Sequence, residues 1–276
     1  MTAQTTAAPR GKAQDARRPA ARRIRDSRLR TPLLYLVSVA LGLGVWQLVA
    51  ATSGPDMVSS PKTTFDAAVE LISDGTLGTS VWASLKRIAI GWALGVVVGA
   101  PLGILMGRFG LVRRILDPYV EFFRFIPPVA FVTLAIVWFG IGETSKIVLI
   151  FYTSVFLVTI NTIAGVMAIN DAKLRAAASL GANRWQVLYS VVMPASVPHV
   201  VTGARLAMGN SFLTIVSAEM VAADEGLGAL IWQSRNYARI DWIFVGIITL
   251  GLLGFLCDRL VRLATGRGLR RFGVRV

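Results

Sequence analysis

The sequence predicts an all-α membrane protein with six transmembrane helices and both termini in the cytoplasm. Three observations predict it. The chain of 276 residues is 54% hydrophobic and only 16% charged, whereas a soluble domain carries about 25% charged residues. Six apolar runs recur along it, and about 20 residues at 1.5 Å each cover a hydrocarbon core of ~30 Å. The net charge of +14 is concentrated at the two ends, as expected where basic flanks hold the termini of a membrane bundle inside.

Taken in order, residues 1–30 are rich in Arg, Ala, Pro and Gln and nearly free of large apolar groups, which predicts a disordered basic tail. The basic stretch is too long to open a signal peptide, and the apolar run after it is long enough to stay as an anchor. The apolar body covers 31–265, and 266–276 form a second basic tail. The first span is about Pro32–Ala51. In the polar stretch that follows, Phe65, Ala68, Val69 and Ile72 fall at helical spacing within Pro61–Ser73. Pro61 suits a first helical turn, so a short surface helix on the outer side is expected. The second span, about Ser80–Met106, has glycine at 91, 95, 99, 103 and 107. Small residues at this spacing let two helix backbones approach closely in a membrane. Residues 107–117 form a basic connection.

The third span, about Pro118–Gly140, holds Glu121, Arg124, Pro127 and Pro128. Paired prolines free backbone carbonyls that need protein or water nearby, which places this span against the bundle interior. A short turn leads to the fourth span, about Lys146–Ile169. The fifth, about Val197–Val221, is followed by an outer segment, Ala222–Asp241, containing Ala-Asp-Glu-Gly-Leu-Gly. The sixth is about Trp242–Leu263. With six spans, the inside segments hold nine, three, three and six Lys or Arg, against Lys62, Lys146, Arg235 and Arg239 outside. Lys86 and Arg87, near the start of span two, are expected to snorkel outward.

Intramembrane polar groups cost about 2.5–3.5 kcal/mol per charged side chain near the bilayer centre. Arg124, Asn161, Thr162, Asn210, Ser211 and Glu219 are therefore candidates to face a translocation path or one another. For Arg205 an interhelical polar pair is an equal reading. No glycine-rich phosphate loop, paired histidines, nucleophile elbow or haem motif is present, so no catalytic residue, metal site or cofactor is assigned to this chain. Cys257 has no partner cysteine and reads as a packing residue. His199, the one histidine, reads as capping or interfacial. The basic ends flank apolar spans, which argues for membrane lipid and cytoplasmic placement over nucleic acid.

The most polar part of the C-terminal half is Asp171–Pro198. Leu174, Ala177, Ala178, Gly181, Trp185, Leu188 and Val192 recur at threes and fours, one face of a helix. Gly181 weakens the helix there, and Pro194 and Pro198 are expected to end the pattern. The reading is a short helix, a glycine bend, a second short helix and re-entry into the bilayer. It is either a docking surface or an amphipathic helix lying on lipid headgroups.

The run Arg175–Pro194 resembles the cytoplasmic loop of ABC importer permeases, whose motif is Glu-Ala-Ala, three residues, Gly, and a terminal Leu-Pro-like pair. Ala176 and Ala177 match the alanines, Gly181 the glycine, and Met193-Pro194 the pair. Arg175 stands where the family usually has Glu. Leu116–Arg124, Arg124–Lys146, Asn161–Val166 and Gly251–Leu260 extend the likeness to the nitrate, sulfonate and taurine branch. The resemblance implies the type I ABC importer transmembrane fold in a bacterial cell membrane, with a coupling loop over 170–195. Leu174, Arg175, Ala176, Ala177, Leu180, Gly181, Ala182 and Trp185 would be its coupling residues. It further implies a homodimer, two ATP-binding-cassette ATPase subunits that bind ATP and Mg, an extracytoplasmic solute-binding protein, and a small anionic solute. Two other classes stay open: a secondary transporter driven by an ion gradient, which would usually show matching interrupted halves, and a membrane assembly subunit that moves no solute.

Overall fold

The computed structural model describes the backbone of residues 30–268 and the side chains of 34–266. The basic tails expected at 1–30 and 266–276 lie, apart from their inner edges, outside the described residues. The chain divides into two units, 1–45 and 46–276. The first supplies most of α1 (Arg30–Ser53). The second begins with the last turns of α1, where Trp46 stacks on Phe244 at 5.8 Å and donates to the Ser59 carbonyl at 2.9 Å.

The centre of the second unit is a seam between α3 (Thr76–Arg108) and α6 (Glu143–Met167). The glycine strip of α3 lies along it. Gly91 faces Ile150, Gly95 faces Ser154, Gly103 faces Thr162 and Gly107 faces Val166, so the two helices run parallel without slipping register. A methyl at Gly91 would lie 2.6 Å from the Ile150 Cβ, and one at Gly99 would lie 2.7 Å from the Val155 carbonyl. Thr159 Oγ1 donates across the seam to the Gly99 carbonyl at 3.2 Å. Each glycine costs about 1 kcal/mol of helix propensity, yet an unsatisfied backbone group in hydrocarbon costs several. The helix therefore persists, and the close approach expected from the spacing is present.

The other side of α6 packs antiparallel on α9 (Met193–Ala222). Thr153 meets Thr214 at 3.0 Å, Ser154 meets Ser211 at 3.2 Å, and Gly165 packs on His199. Residues 222–241 are more than an external loop. They contain α10 (Leu227–Asn236), which buries Leu227, Gly228, Ala229 and Leu230. α11 (Ile240–Gly268) completes the unit. α2 (Pro61–Ser73) has the bounds read from the sequence and is capped by Ser60. It buries Thr64, Ala67 and Leu71 against α10 and α11, while Phe65, Val69 and Ile72 point outward.

Two sequence expectations are corrected. The third span is a broken pair. α4 (Gly110–Phe123) already contains most of the supposed basic connection, and after Pro127-Pro128 a 3-10 turn leads into α5 (Val132–Phe139), bent by 88° from α4. The carbonyls freed at the break are met from within, since the Tyr152 hydroxyl donates to those of Phe123 and Ile126. The prolines at 194 and 198, by contrast, do not end the helical pattern ahead of the fifth span. α7 (Asp171–Ser179) is followed by α8 (Arg184–Val187), and helical structure then continues to Ala222. A π-turn over Leu188–Val192 intervenes, closed by the Met193 N–H bonding to the Leu188 carbonyl. The longer ring makes room ahead of Pro194, whose missing N–H and bulk would otherwise disturb an α-helical turn. Among the described residues, five helices are long and apolar enough to cross a bilayer, and the bent pair makes six if it is one span.

Candidate functional site

Three polar constructions interrupt the apolar packing. The first joins α7 to α8 at the end of the bundle where α3 and α6 finish, here the elbow end. Asn170 caps α7, accepting from the Ala172 N–H at 2.8 Å. Gly181, at φ +79°, then turns the chain in the left-handed region. Its N–H bonds to the Ala178 carbonyl at 2.9 Å, and the Ala182 N–H bonds to that of Ala177 at 3.1 Å. This paired closure is the Schellman motif, which uses glycine because a Cβ is disfavoured at that φ. Asn183 and Gln186 form a reciprocal capping box that starts α8. The Asn-x-x-Gln spacing is a sequence signal for that box which the helical periodicity alone misses.

These caps sort the candidate coupling residues into two groups. Leu174, Ala177 and Ala182 pack inward on Val166, Val187, Leu188 and Val192 and seat the elbow on the bundle. Arg175, Ala176, Gly181, Leu180 at 88% exposure and Trp185 at 50% face outward. A single apolar face running through Gly181 is therefore not what forms. The left-handed residue resets the helical phase, leaving Ala178, Gly181 and Trp185 outside. The Trp185 ring lies 6.3 Å from Phe109, the one residue between α3 and α4, so the elbow also touches that junction.

The second construction is a cavity of about 250 Å³ at the break between α4 and α5. Arg124, Tyr152, Thr153 and Asn210 supply its polar wall, and Phe125, Pro127 and Phe156 are among its apolar lining. Arg124 is held by Glu121 at 2.7 Å and lies 4.2 Å from the centre of the Phe125 ring. Arg124 and Asn210 are thus brought to one cavity. Asn161 sits apart, against Gly203, and donates to the Leu157 carbonyl at 2.8 Å. Thr162 and Ser211 are buried between helices, bonded to the Val158 and Ala207 carbonyls. Arg205 takes the interhelical option, pairing with Asp258 at 2.9 Å.

The third construction lies at the opposite, far end, and it is where Glu219 goes. The fully buried Glu219 carboxylate accepts from Arg87 at 2.6 Å, from Ser84 at 2.9 Å and from the Gly228 N–H at 2.9 Å. Arg87 also donates to Glu143 at 2.6 and 2.8 Å. Arg87 therefore does not snorkel. Lys146, counted above as an outer cation, is buried as well, 3.6 Å from Glu143. Removing one member of such a pair leaves an uncompensated buried charge, at about 3–5 kcal/mol. Hydropathy could not distinguish Arg87 from the exposed Lys86 beside it; the helical phase shared with Gly91 and Gly95 was the available signal.

The geometry is that of a polytopic bundle with a presented elbow, an open cavity at the break between α4 and α5, and a charged far end. Residues 99–267 match the family model described as binding-protein-dependent transport system inner membrane component. The chain is 39% identical to the probable ABC transporter permease protein BMEII0107 of Brucella melitensis biotype 1, over 85% of this chain and 95% of that one. It is 36% identical to the taurine transport system permease protein TauC of Escherichia coli (strain K12), over 83% and 88% of the two chains. In fold it is similar to a chain of a bacterial alginate ABC transporter solved in complex with an alginate pentasaccharide-bound periplasmic protein. That similarity has a TM-score of 0.62 and 15% identity, covering 87% of this chain and 92% of that one.

Proposed function

The chain belongs to the family of binding-protein-dependent transport system inner membrane components, and from that premise we propose that it lines the import path of a small anion (a sulfonate, nitrate, taurine or a related carboxylate) and is driven by a separate ATPase. It is a multi-pass permease subunit of the inner membrane, with the fold of type I ABC importer permeases, and not itself an enzyme. In the proposed assembly two copies of the chain stand together. Two ATP-binding-cassette subunits bind ATP and Mg, and an extracytoplasmic solute-binding protein delivers the solute.

The observation that carries this reading is the elbow. Leu180 and Trp185 are large apolar side chains held outward by a turn that is itself fixed by two caps and a Schellman closure. Exposed apolar anchors on a rigid support suit insertion into a partner's cleft. Force applied there reaches α9 through the helix that continues from Arg184, and reaches α3 and α4 through Phe109. The taurine permease likeness and the cation in the cavity wall support a sulfonate-like anion.

The test is reconstitution of the chain with a candidate ATP-binding-cassette ATPase and a candidate solute-binding protein, followed by uptake of taurine, an alkanesulfonate and nitrate. ATP-dependent uptake of one of these is expected. Leu180→Asp should preserve membrane insertion and abolish retention of the ATPase. An assembly that keeps its ATPase after that change would show that the elbow is not the docking element.

A further inference from the structure

The elbow is cationic, and the chain leaves its charge unmatched. Lys173, Arg175 and Arg184 are exposed on it, and Asp171 is its one carboxylate. Asp171 stands in the first turn of α7, where the helix N-terminus favours a negative charge. It lies one turn before Arg175 and forms no ion pair with it. Among the described residues the Arg175 guanidinium has no ion pair and no hydrogen bond. Arg184 lies 5.9 Å from the centre of the Trp185 ring. At the neighbouring junction Asp117 is 3.9 Å from Arg113, while the buried Nε of Arg108 has no partner.

Arg175 is singled out by the face it occupies. Leu174 and Ala177 turn toward the bundle. At about 100° per residue, the opposite face of α7 then carries Ala172, Arg175, Ala176 and Ser179, and all four are exposed. Ser179 turns its hydroxyl back to the Arg175 carbonyl at 3.0 Å, so no neighbour on that face reaches the guanidinium. A helix lying on lipid headgroups needs an apolar face for the membrane, and in α7 that face is already taken up by the bundle. A partner that covers Ala176 and the 88% exposed Leu180 also covers Arg175. A charge enclosed in such a contact without a counter-charge is strongly unfavourable. The chain supplies none, so the partner must.

We propose that the elbow selects its ATPase by charge: the cleft that receives Leu180 and Trp185 is acidic, and one of its carboxylates faces Arg175. The inference deepens the docking reading above and rests on it. It also sets specificity. Arg175 stands where the resemblance expects Glu, and a cleft that presents a cation to such a Glu repels this chain. Permease and ATPase are thereby matched as a pair, through a contact that touches neither solute nor nucleotide.

The test places the full chain in nanodiscs of neutral phosphatidylcholine with the candidate ATPase of the transport assay. Arg175→Glu is expected to insert unchanged and to lower ATPase retention by about tenfold or more, while Arg175→Lys retains it. In the Arg175→Lys assembly a carbodiimide, which joins an amine to a touching carboxylate as an amide, should link position 175 to an Asp or Glu of the ATPase. Exchanging that acidic residue for Lys should restore retention to the Arg175→Glu chain. A missing link, or an exchange that restores nothing, overturns the facing carboxylate. Full retention by Arg175→Glu, with Leu180→Asp still losing the ATPase, overturns the charged contact and leaves docking standing. An unaltered chain that retains no ATPase removes docking itself, and the charged contact with it. A spin label at Ala176→Cys in a Cys257→Ser chain separates protein from lipid as the occupant. Shielding of the label from an aqueous relaxant by ATPase supports the proposal. Shielding by added phosphatidylglycerol, with no ATPase present, assigns the cations to headgroups and overturns it.

Discussion

Gly95 of α3 lies against Ser154 of α6 so closely that no methyl group fits between them. Gly209 of α9 has nothing within 4 Å of where its Cβ would be. Gly95→Ala is therefore expected to destabilise the bundle by about 1–3 kcal/mol, the usual cost of overpacking. Gly209→Ala should be neutral or stabilise by roughly 0.5–1 kcal/mol through helix propensity. Unfolding of the two variants in detergent checks the difference, and equal midpoints would mean that the seam yields freely.

Gly181 has open space around it, so its constraint is the backbone and not packing. Alanine there should cost about 1–2 kcal/mol locally, and asparagine less. Proline, with φ fixed near −65°, cannot adopt the observed +79°. Gly181→Pro is expected to insert normally, while the ATPase assembled with it hydrolyses ATP without solute being moved. ATPase and uptake rates measured on the same proteoliposomes check this, and coupled uptake by the proline variant would contradict it.

Arg124 is the cation of the cavity wall, steadied by Glu121 and Phe125. Arg124→Gln should raise the KM for an anionic solute by about tenfold with a smaller change in maximal rate, the pattern of a lost binding contact. Asn210→Leu should act in the same direction. The check is uptake against solute concentration, and an unaltered KM in both variants would move the path elsewhere.

Outside the spans, Arg239 bonds to Glu70 at 2.6 Å and ties α2 to the start of α11. That hydrogen bond holds the Glu70 carboxyl below its ordinary value of 4.5. A lowered carboxylate contributes its stabilisation above the unfolded value and loses it as pH falls through the folded one. Protease or hydrogen-exchange protection of α2 should therefore be level above about pH 5 and decline only in more acid solution. Glu70→Gln should remove that acid dependence, and a decline centred near neutrality would assign it to another group.

The bounds of α2, the glycine seam and the bend at Gly181 were legible in the sequence, because each rests on a local repeat or a single backbone requirement. Pro127 and Pro128 announced a disturbed span, and only contact with Tyr152 shows how its carbonyls are met. Pro194 and Pro198 carried the same signal and gave the opposite outcome, since a π-turn absorbs the first. The far-end cluster was hidden because Ser84, Arg87, Glu143 and Glu219 are scattered along the chain. Their pairing depends on how three helices and the loop leading into α10 meet.

By itself the sequence determined that this chain must live in a bilayer as helices, that its second span would pack closely on a neighbour, and where a glycine would bend the chain between spans. Those follow from hydrophobic length, residue size and allowed φ, all properties of neighbouring residues. The tertiary structure decided which polar groups are solvent-facing, which line a cavity and which neutralise one another. Burial of a charge is favourable only when a partner arrives from another helix, and that partner is fixed by packing geometry.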